Sequence, residues 1–145
     1  GLICANAGVD QSNVEGDAAL LLPVDPDKSA NRLRDSIGKK TGKEVAVIIT
    51  DTFGRPFREG QTNVAIGIAG INPIKSYIGS RDMYGRKLKV SEIAIADEIA
   101  SAAELVMGKS EGVPAAIIRG YSFEKAAKSS AKSLQRSREQ DLFRH

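Results

Sequence analysis

The chain has 145 residues, 41% hydrophobic content and a formal net charge of +3, which fits one folded domain with a sizeable core and carries too little positive charge to point to nucleic acid. Its one cysteine, Cys4, excludes an internal disulfide framework and fits a reducing, cytoplasmic setting. No apolar run reaches the roughly 18 residues of a membrane-spanning helix, so no membrane partner is expected. No signal peptide is visible, and the opening Gly1-Leu2-Ile3 in place of methionine suggests a fragment or a cleavage product.

Leu2-Ile3-Cys4 reads as the end of a strand, followed by a small, polar loop through Asn13. Asp10, Ser12 and Asn13 in that loop can all present oxygens, although such a composition is also that of an ordinary turn. Gly16-Asp17 makes a turn, and Ala18 to Val24 reads as a short apolar strand. Asp25-Pro26 is a helix start, with aspartate as N-cap and proline at the first helical position. Ala30, Leu33 and Ile37 then share one face, and Gly38 or Gly42 ends the helix.

Val45-Ala46-Val47-Ile48-Ile49 reads as a strand buried on both faces. With the helix before it, this makes a β-α-β unit, which favours parallel strands and a right-handed crossover. The run ends on Thr50-Asp51-Thr52-Phe53-Gly54-Arg55-Pro56-Phe57-Arg58. Asp51 and Thr52 offer hard oxygens suited to Mg²⁺ or Mn²⁺. Arg55 and Arg58 offer forked donors suited to phosphate or carboxylate, the plain alternative being an ion pair with Glu59 or another surface carboxylate.

Val64 to Gly70 is an apolar run punctuated by Gly67 and Gly70, a strand that something approaches closely. Arg81 to Lys87 reads as a hairpin tip or exposed loop. Val90 to Met107 is the best helix, with Ser91 as N-cap and Ile93, Ala96, Ala100, Ala103 and Met107 along one face. Asp97 and Glu98 fall off that face and read as solvated. Gly108 to Gly112 is a loop, Val113 to Ile118 a short strand, and Lys125 to Arg138 a polar helix. The segment from Arg119 onward is a basic tail, with Asp141-Leu142-Phe143-Arg144 as a hydrophobic peg.

Gly108-Lys109-Ser110 is not a phosphate-binding P-loop, because Ala103 stands where the motif's first glycine belongs and the triplet follows a helix. The only histidine is His145, which excludes a serine-histidine-aspartate set and, with one cysteine, leaves no ordinary zinc site. What remains suits a hard metal and an anionic ligand, and so phosphoryl chemistry. The strand ending in Asp51 is also similar to that of aspartyl-phosphate phosphatases of the haloacid dehalogenase type, but Phe53 stands where they carry a second aspartate.

Five signatures in order, Cys4 to Asp10 with Ser12-Asn13, Leu22-Pro23 with Asp25 to Ala30, Ile48 to Pro56 with Arg58 and Gly60-Gln61-Thr62, Ile95 to Gly108 with Gly112-Val113-Pro114, and Asp141 to Arg144, resemble the coenzyme F420-0:L-glutamate ligase family. The resemblance implies an α+β fold with a mixed β-sheet flanked by helices, part of a two-subdomain γ-glutamyl ligase of which residues 1–145 are the middle and C-terminal part. It implies a homodimeric enzyme of F420 biosynthesis with GTP, coenzyme F420-0 and L-glutamate as partners and an acyl phosphate as intermediate. Two divalent ions, Mg²⁺ or Mn²⁺, and potassium are implied as cofactors. Asp10 and Asp51 resemble ligands of one ion and Thr52 of the second. Asn13 and the loop Met107, Gly108, Lys109, Ser110, Glu111, Gly112, Val113, Pro114 resemble nucleotide contacts. Arg55 and Arg58 are the candidates for stabilising transferred phosphate. Family members often carry glutamine after Gly108, where it helps hold the second ion; here the residue is the cationic Lys109, which can pair with phosphate instead. Family members also have a segment before the first signature, so the 145-residue chain alone is expected to be inactive. Competing readings are a non-catalytic metal- and nucleotide-binding fragment and a metal-dependent phosphohydrolase.

Overall fold

The computed structural model describes Cys4 and residues 8–141, and the fold among them is α+β. The elements are β1 (Val9–Asp10), β2 (Leu20–Leu21), α1 (Pro26–Thr41), β3 (Val47–Arg55), β4 (Arg58–Ala69), β5 (Lys75–Ser76), β6 (Glu92–Ile93) and α2 (Ile95–Met107), followed by 3-10 turns at Ala131–Leu134 and Arg138–Gln140. All strand pairs among the described residues are antiparallel: β1 with β2, β3 with β4, β5 with β6. The mixed sheet and the β-α-β unit expected from the sequence are therefore corrected. The long apolar runs are the two arms of one hairpin, β3 and β4, joined at Pro56-Phe57. Proline presets the φ of the first turn residue, and Phe57 takes a φ of 60°. The usual Asn-Gly hairpin signal is missing there, which hides the turn from sequence patterning.

The strand that carries Asp51 runs on to Arg55 and is half-buried for most of its length rather than buried on both faces. A bulge between Ile49 and Thr50 leaves Ile66 as the extra residue on β4, so Thr50 faces Ala65 and Ile48 faces Ile68 on one side of the hairpin. Ala65 and Ile68 join Ile71, Ile95, Ala96 and Ala131 in the core, with Ile48, Ile99 and Leu134 packed against it. This is the α2 side. On the other side Gly67 meets α1: a Cβ there would overlap the Pro26 backbone, the close approach its glycine implied.

Helix α1 begins as expected. Asp25 is extended and its Oδ1 accepts the Lys28 N–H at 2.9 Å, and Gly42 closes the helix at a left-handed φ of 67°. Its buried residue is Ala30, while Leu33 and Ile37 stay exposed. Packing on the hairpin uses instead the row carrying Ala30 and Arg34, whose Nε donates to the Val45 carbonyl at 3.2 Å. Helix α2 starts at Ile95, because Glu92–Ile93 is drawn into pairing with β5.

The outer edge of β4 would present unpaired backbone groups. Side chains close it. Asp97 Oδ1 accepts the Ala65 N–H at 2.9 Å, Asp27 Oδ1 accepts the Ile68 N–H at 2.9 Å, and Ser129 Oγ accepts the Gly70 N–H at 3.1 Å. Ser101 Oγ donates to the Asn63 carbonyl at 2.9 Å. Asp97, expected to be solvated, is thus a half-buried cap of the sheet edge, while Glu98 is exposed. Residues 124–131 lie along this edge, with Asn72 N–H donating to the Glu124 carbonyl at 2.8 Å. Satisfying the edge in this way takes an irregular path, so the helix expected over Lys125 to Arg138 reduces to two 3-10 turns, and Val113 to Ile118 forms no strand. The strand expected over Ala18 to Val24 shortens to Leu20–Leu21. The strand at Leu2-Ile3 and the peg at residues 142–144 lie outside the described residues.

The accessible surface is 11306 Å², whereas a compact chain of 15.4 kDa exposes about 7,200 Å². Leu105 and Val106 at the end of α2 are 82% and 70% exposed. No helix among the described residues is long and apolar enough to cross a membrane.

Candidate functional site

Three separated pieces of chain meet at Lys109. Helix α2 packs along the hairpin, and Gly108, at a φ of 62°, turns the chain out of the helix. That turn sets Lys109 over β3, where its Nζ donates to Thr52 Oγ1. Thr52 Oγ1 also bonds Asn63 Oδ1 across the hairpin at 3.2 Å. The Lys109 carbonyl accepts the Asn13 side-chain amide at 3.1 Å, which ties in the loop after β1.

Asp10 belongs to the same cluster electrostatically. The Ser12 N–H and Ser12 hydroxyl donate to its two oxygens at 2.8 and 2.7 Å. These bonds, with a smaller contribution from the charge of Lys109, hold its carboxyl below the usual aspartate range. Asp10 is therefore ionised at neutral pH, and each of its oxygens keeps a lone pair for a further partner.

Asp51 is placed differently. Neighbouring strand residues point to opposite faces, so Asp51 and Thr52 do not share a face of the hairpin. The Asp51 carboxylate makes no side-chain hydrogen bond or ion pair among the described residues. No group of three or more histidine, cysteine, aspartate or glutamate residues that could hold a metal occurs among them either. Asp10 and Asp51 each offer hard oxygens of the kind a divalent ion takes. The hydroxyl of Thr52 is already engaged by an ammonium.

The two arginines lie at the hairpin tip. Arg55 folds back, with Nη2 donating to the Glu59 carbonyl at 2.9 Å, while its buried Nε has no partner among the described residues. The alternative, an ion pair of Arg55 with the Glu59 carboxylate, does not form, because the guanidinium serves the turn's backbone instead. Arg58 is exposed. In the loop after α2, Glu111 accepts the Ser110 N–H at 2.8 Å, and backbone donors of the loop hold its carboxyl below the usual range. The φ of 62° at Gly108 favours glycine, and a Cβ there would push aside the flexible Glu111 carboxylate. Met107 is half-buried, and Gly108 to Pro114 are exposed.

Two residues escaped the reading of the sequence. Asn63, a buried polar side chain, orients Thr52; its one signal is an amide beside the apolar run. Asp27 is a hub at the start of α1. Burial works against its charge, but the Ser130 hydroxyl and the N–H groups of Ala131 and Ile68 outweigh this and hold its carboxyl low. It flanks a cavity of about 860 Å³ lined by Leu22, Asp25, Lys28, Ile66, Lys132 and others. None of the candidate metal, nucleotide or phosphate residues lines that cavity, although Leu22-Pro23 and Asp25 to Lys28 of the second signature do.

A lysine, a threonine and an amide thus gather beside Asp10, on a loop that leaves a helix. The chain belongs to the F420-0:Gamma-glutamyl ligase family, whose sequence signature matches residues 1–120. Coenzyme F420:L-glutamate ligase of Methanothermobacter thermautotrophicus is 53% identical over 146 aligned residues, covering 99% of this chain and 58% of that protein. The proteins of the same name from Archaeoglobus fulgidus and Methanocaldococcus jannaschii are 49% and 47% identical, over 57% and 58% of their lengths. The chain thus spans less than three-fifths of the curated relatives it matches.

Proposed function

We propose that the protein carrying this chain joins L-glutamate to coenzyme F420-0 at the expense of GTP, and that the chain is the middle and C-terminal part of a two-subdomain ligase. Family membership supports the substrates. The observation that carries the site is the convergence of Asn13, Thr52 and Lys109, with Asp10 beside them, from three distant parts of the chain.

In this reading the γ-phosphoryl of GTP passes to the substrate carboxylate of F420-0, and GDP leaves. The α-amine of glutamate then attacks the acyl carbon, the C–O bond to phosphate breaks, and the amine loses a proton to water. Asn13 and the loop Met107 to Pro114 hold the nucleotide. Lys109 faces its phosphates as a fixed cation. Arg58, exposed at the hairpin tip, is available to the transferred group, whereas Arg55 shapes the turn. A divalent ion would be held by Asp10, with Asp51 as the further ligand that the resemblance implies, and would supply charge neutralisation for the phosphates. The exposed apolar residues of α2 support coverage by a second copy or by further chain.

The test is incubation of the native-length protein with GTP, F420-0 and glutamate. A product heavier by one glutamyl residue, with one GDP and one phosphate released per amide, is expected. GTP hydrolysis unchanged by omitting F420-0 and glutamate, with no amide formed, would overturn the reading in favour of a phosphohydrolase.

A further inference from the structure

We infer that the ammonium of Lys109 takes the place of a second divalent cation, so that the site holds a single divalent ion beside the nucleotide. The inference rests on the reading of the site as a nucleotide site. It begins with Thr52, whose hydroxyl is the ligand that resemblance would give the second ion. Its proton and one of its two lone pairs are engaged. Asn63 Oδ1 lies 3.2 Å away and takes its proton, and Lys109 Nζ donates to its oxygen. A metal at the remaining lone pair of Thr52 would sit beside the like charge of the ammonium.

The lysine is also anchored. The Asn13 amide grips its carbonyl at 3.1 Å, and Gly108 fixes the exit from α2, so the side chain reaches Thr52 from a backbone held at two points. Counter-charge on this face comes from Asp10, which balances one ammonium. The Glu111 carboxylate beside the loop is taken up by the Ser110 N–H and its neighbours, and no group of three or more histidine, cysteine, aspartate or glutamate residues that could hold a metal occurs among the described residues. A lysine in this place gives the phosphates a compact positive charge with three donors that is never lost by dissociation.

The experiment counts Mn²⁺ bound per chain by electron paramagnetic resonance in the native-length protein saturated with GDP, for the unaltered protein, Lys109→Gln and Lys109→Arg. One Mn²⁺ is expected in the unaltered protein and in Lys109→Arg. Lys109→Gln, which replaces the charge by an oxygen ligand, is expected to bind two and to show the line broadening of a coupled pair. Two tightly bound Mn²⁺ in the unaltered protein would overturn the inference, as would a count that stays at one in a folded Lys109→Gln. Amide formation is scored separately. A protein that binds one Mn²⁺ without forming the amide keeps this inference and loses the proposed function, and one that forms it with two Mn²⁺ does the reverse.

Discussion

Asp27 and Asp10 are both aspartates with lowered carboxyl pKa values, and they do opposite work. Asp27 accepts from Ile68, Ser130 and Ala131, residues 41, 103 and 104 positions away. Asp10 accepts from Ser12, two positions away, and stays exposed. A carboxylate whose donors come from distant elements pins those elements together. One satisfied by its own turn costs the fold little and keeps lone pairs for a ligand. The packed end of the hairpin, with α1 and residues 124–131, is built on the first kind. The Lys109 end is built on the second.

Removal of Asp27 is the largest break in this comparison. Asp27→Ala strands two buried-edge N–H groups and a hydroxyl, each worth about 1–3 kcal/mol. A loss of about 4 kcal/mol in urea unfolding is expected, with nucleotide affinity unchanged in the fraction that remains folded. Gly67→Ala attacks the same end by steric means. The new methyl meets Pro26 backbone rather than a flexible tip, so a loss of about 3 kcal/mol is expected from thermal unfolding.

Asp10→Asn should behave in reverse. Stability should change by less than about 0.5 kcal/mol, while turnover of the native-length ligase at limiting Mn²⁺ falls about 10²-fold. Equal damage to stability by Asp10→Asn and Asp27→Asn would erase the distinction between the two carboxylates.

Acid separates them more finely. A carboxyl held low in the folded state contributes stability that is present above the unfolded pKa, about 3.9 for aspartate, and is lost as pH falls through the lower folded value. Asp27→Asn should therefore flatten the decline of stability below about pH 4, measured by urea midpoints across that range. The smallest effect is at the hairpin tip. Arg58→Lys should slow phosphoryl transfer about 10-fold by loss of the planar fork, and Arg55→Lys should chiefly lower stability, because its guanidinium holds the Glu59 carbonyl. Steady-state rates and melting curves of the two variants check that split.

Local signals in the chain were enough for α1 and its caps, for α2 as a helix ending at Gly108, and for the close approach at Gly67, because capping and glycine sterics act within a few residues. Resemblance carried in the motifs was enough to bring Asp10, Asn13, Thr52 and Lys109 into one list. Tertiary structure alone decided the antiparallel pairing of the two longest apolar runs, since period-2 burial is the same for a parallel and an antiparallel partner. It alone turned Asp97 and Asp27 into caps of the β4 edge and drew residues 124–131 out of a helix to lie along that edge. It also decided that Asp51 and Thr52, adjacent in the chain, face opposite sides of the hairpin, and that a lysine 57 residues further on ends at the Thr52 hydroxyl. Each of these depends on which backbone groups are left unpaired once distant segments meet, and that is a property of the assembled chain rather than of any stretch within it.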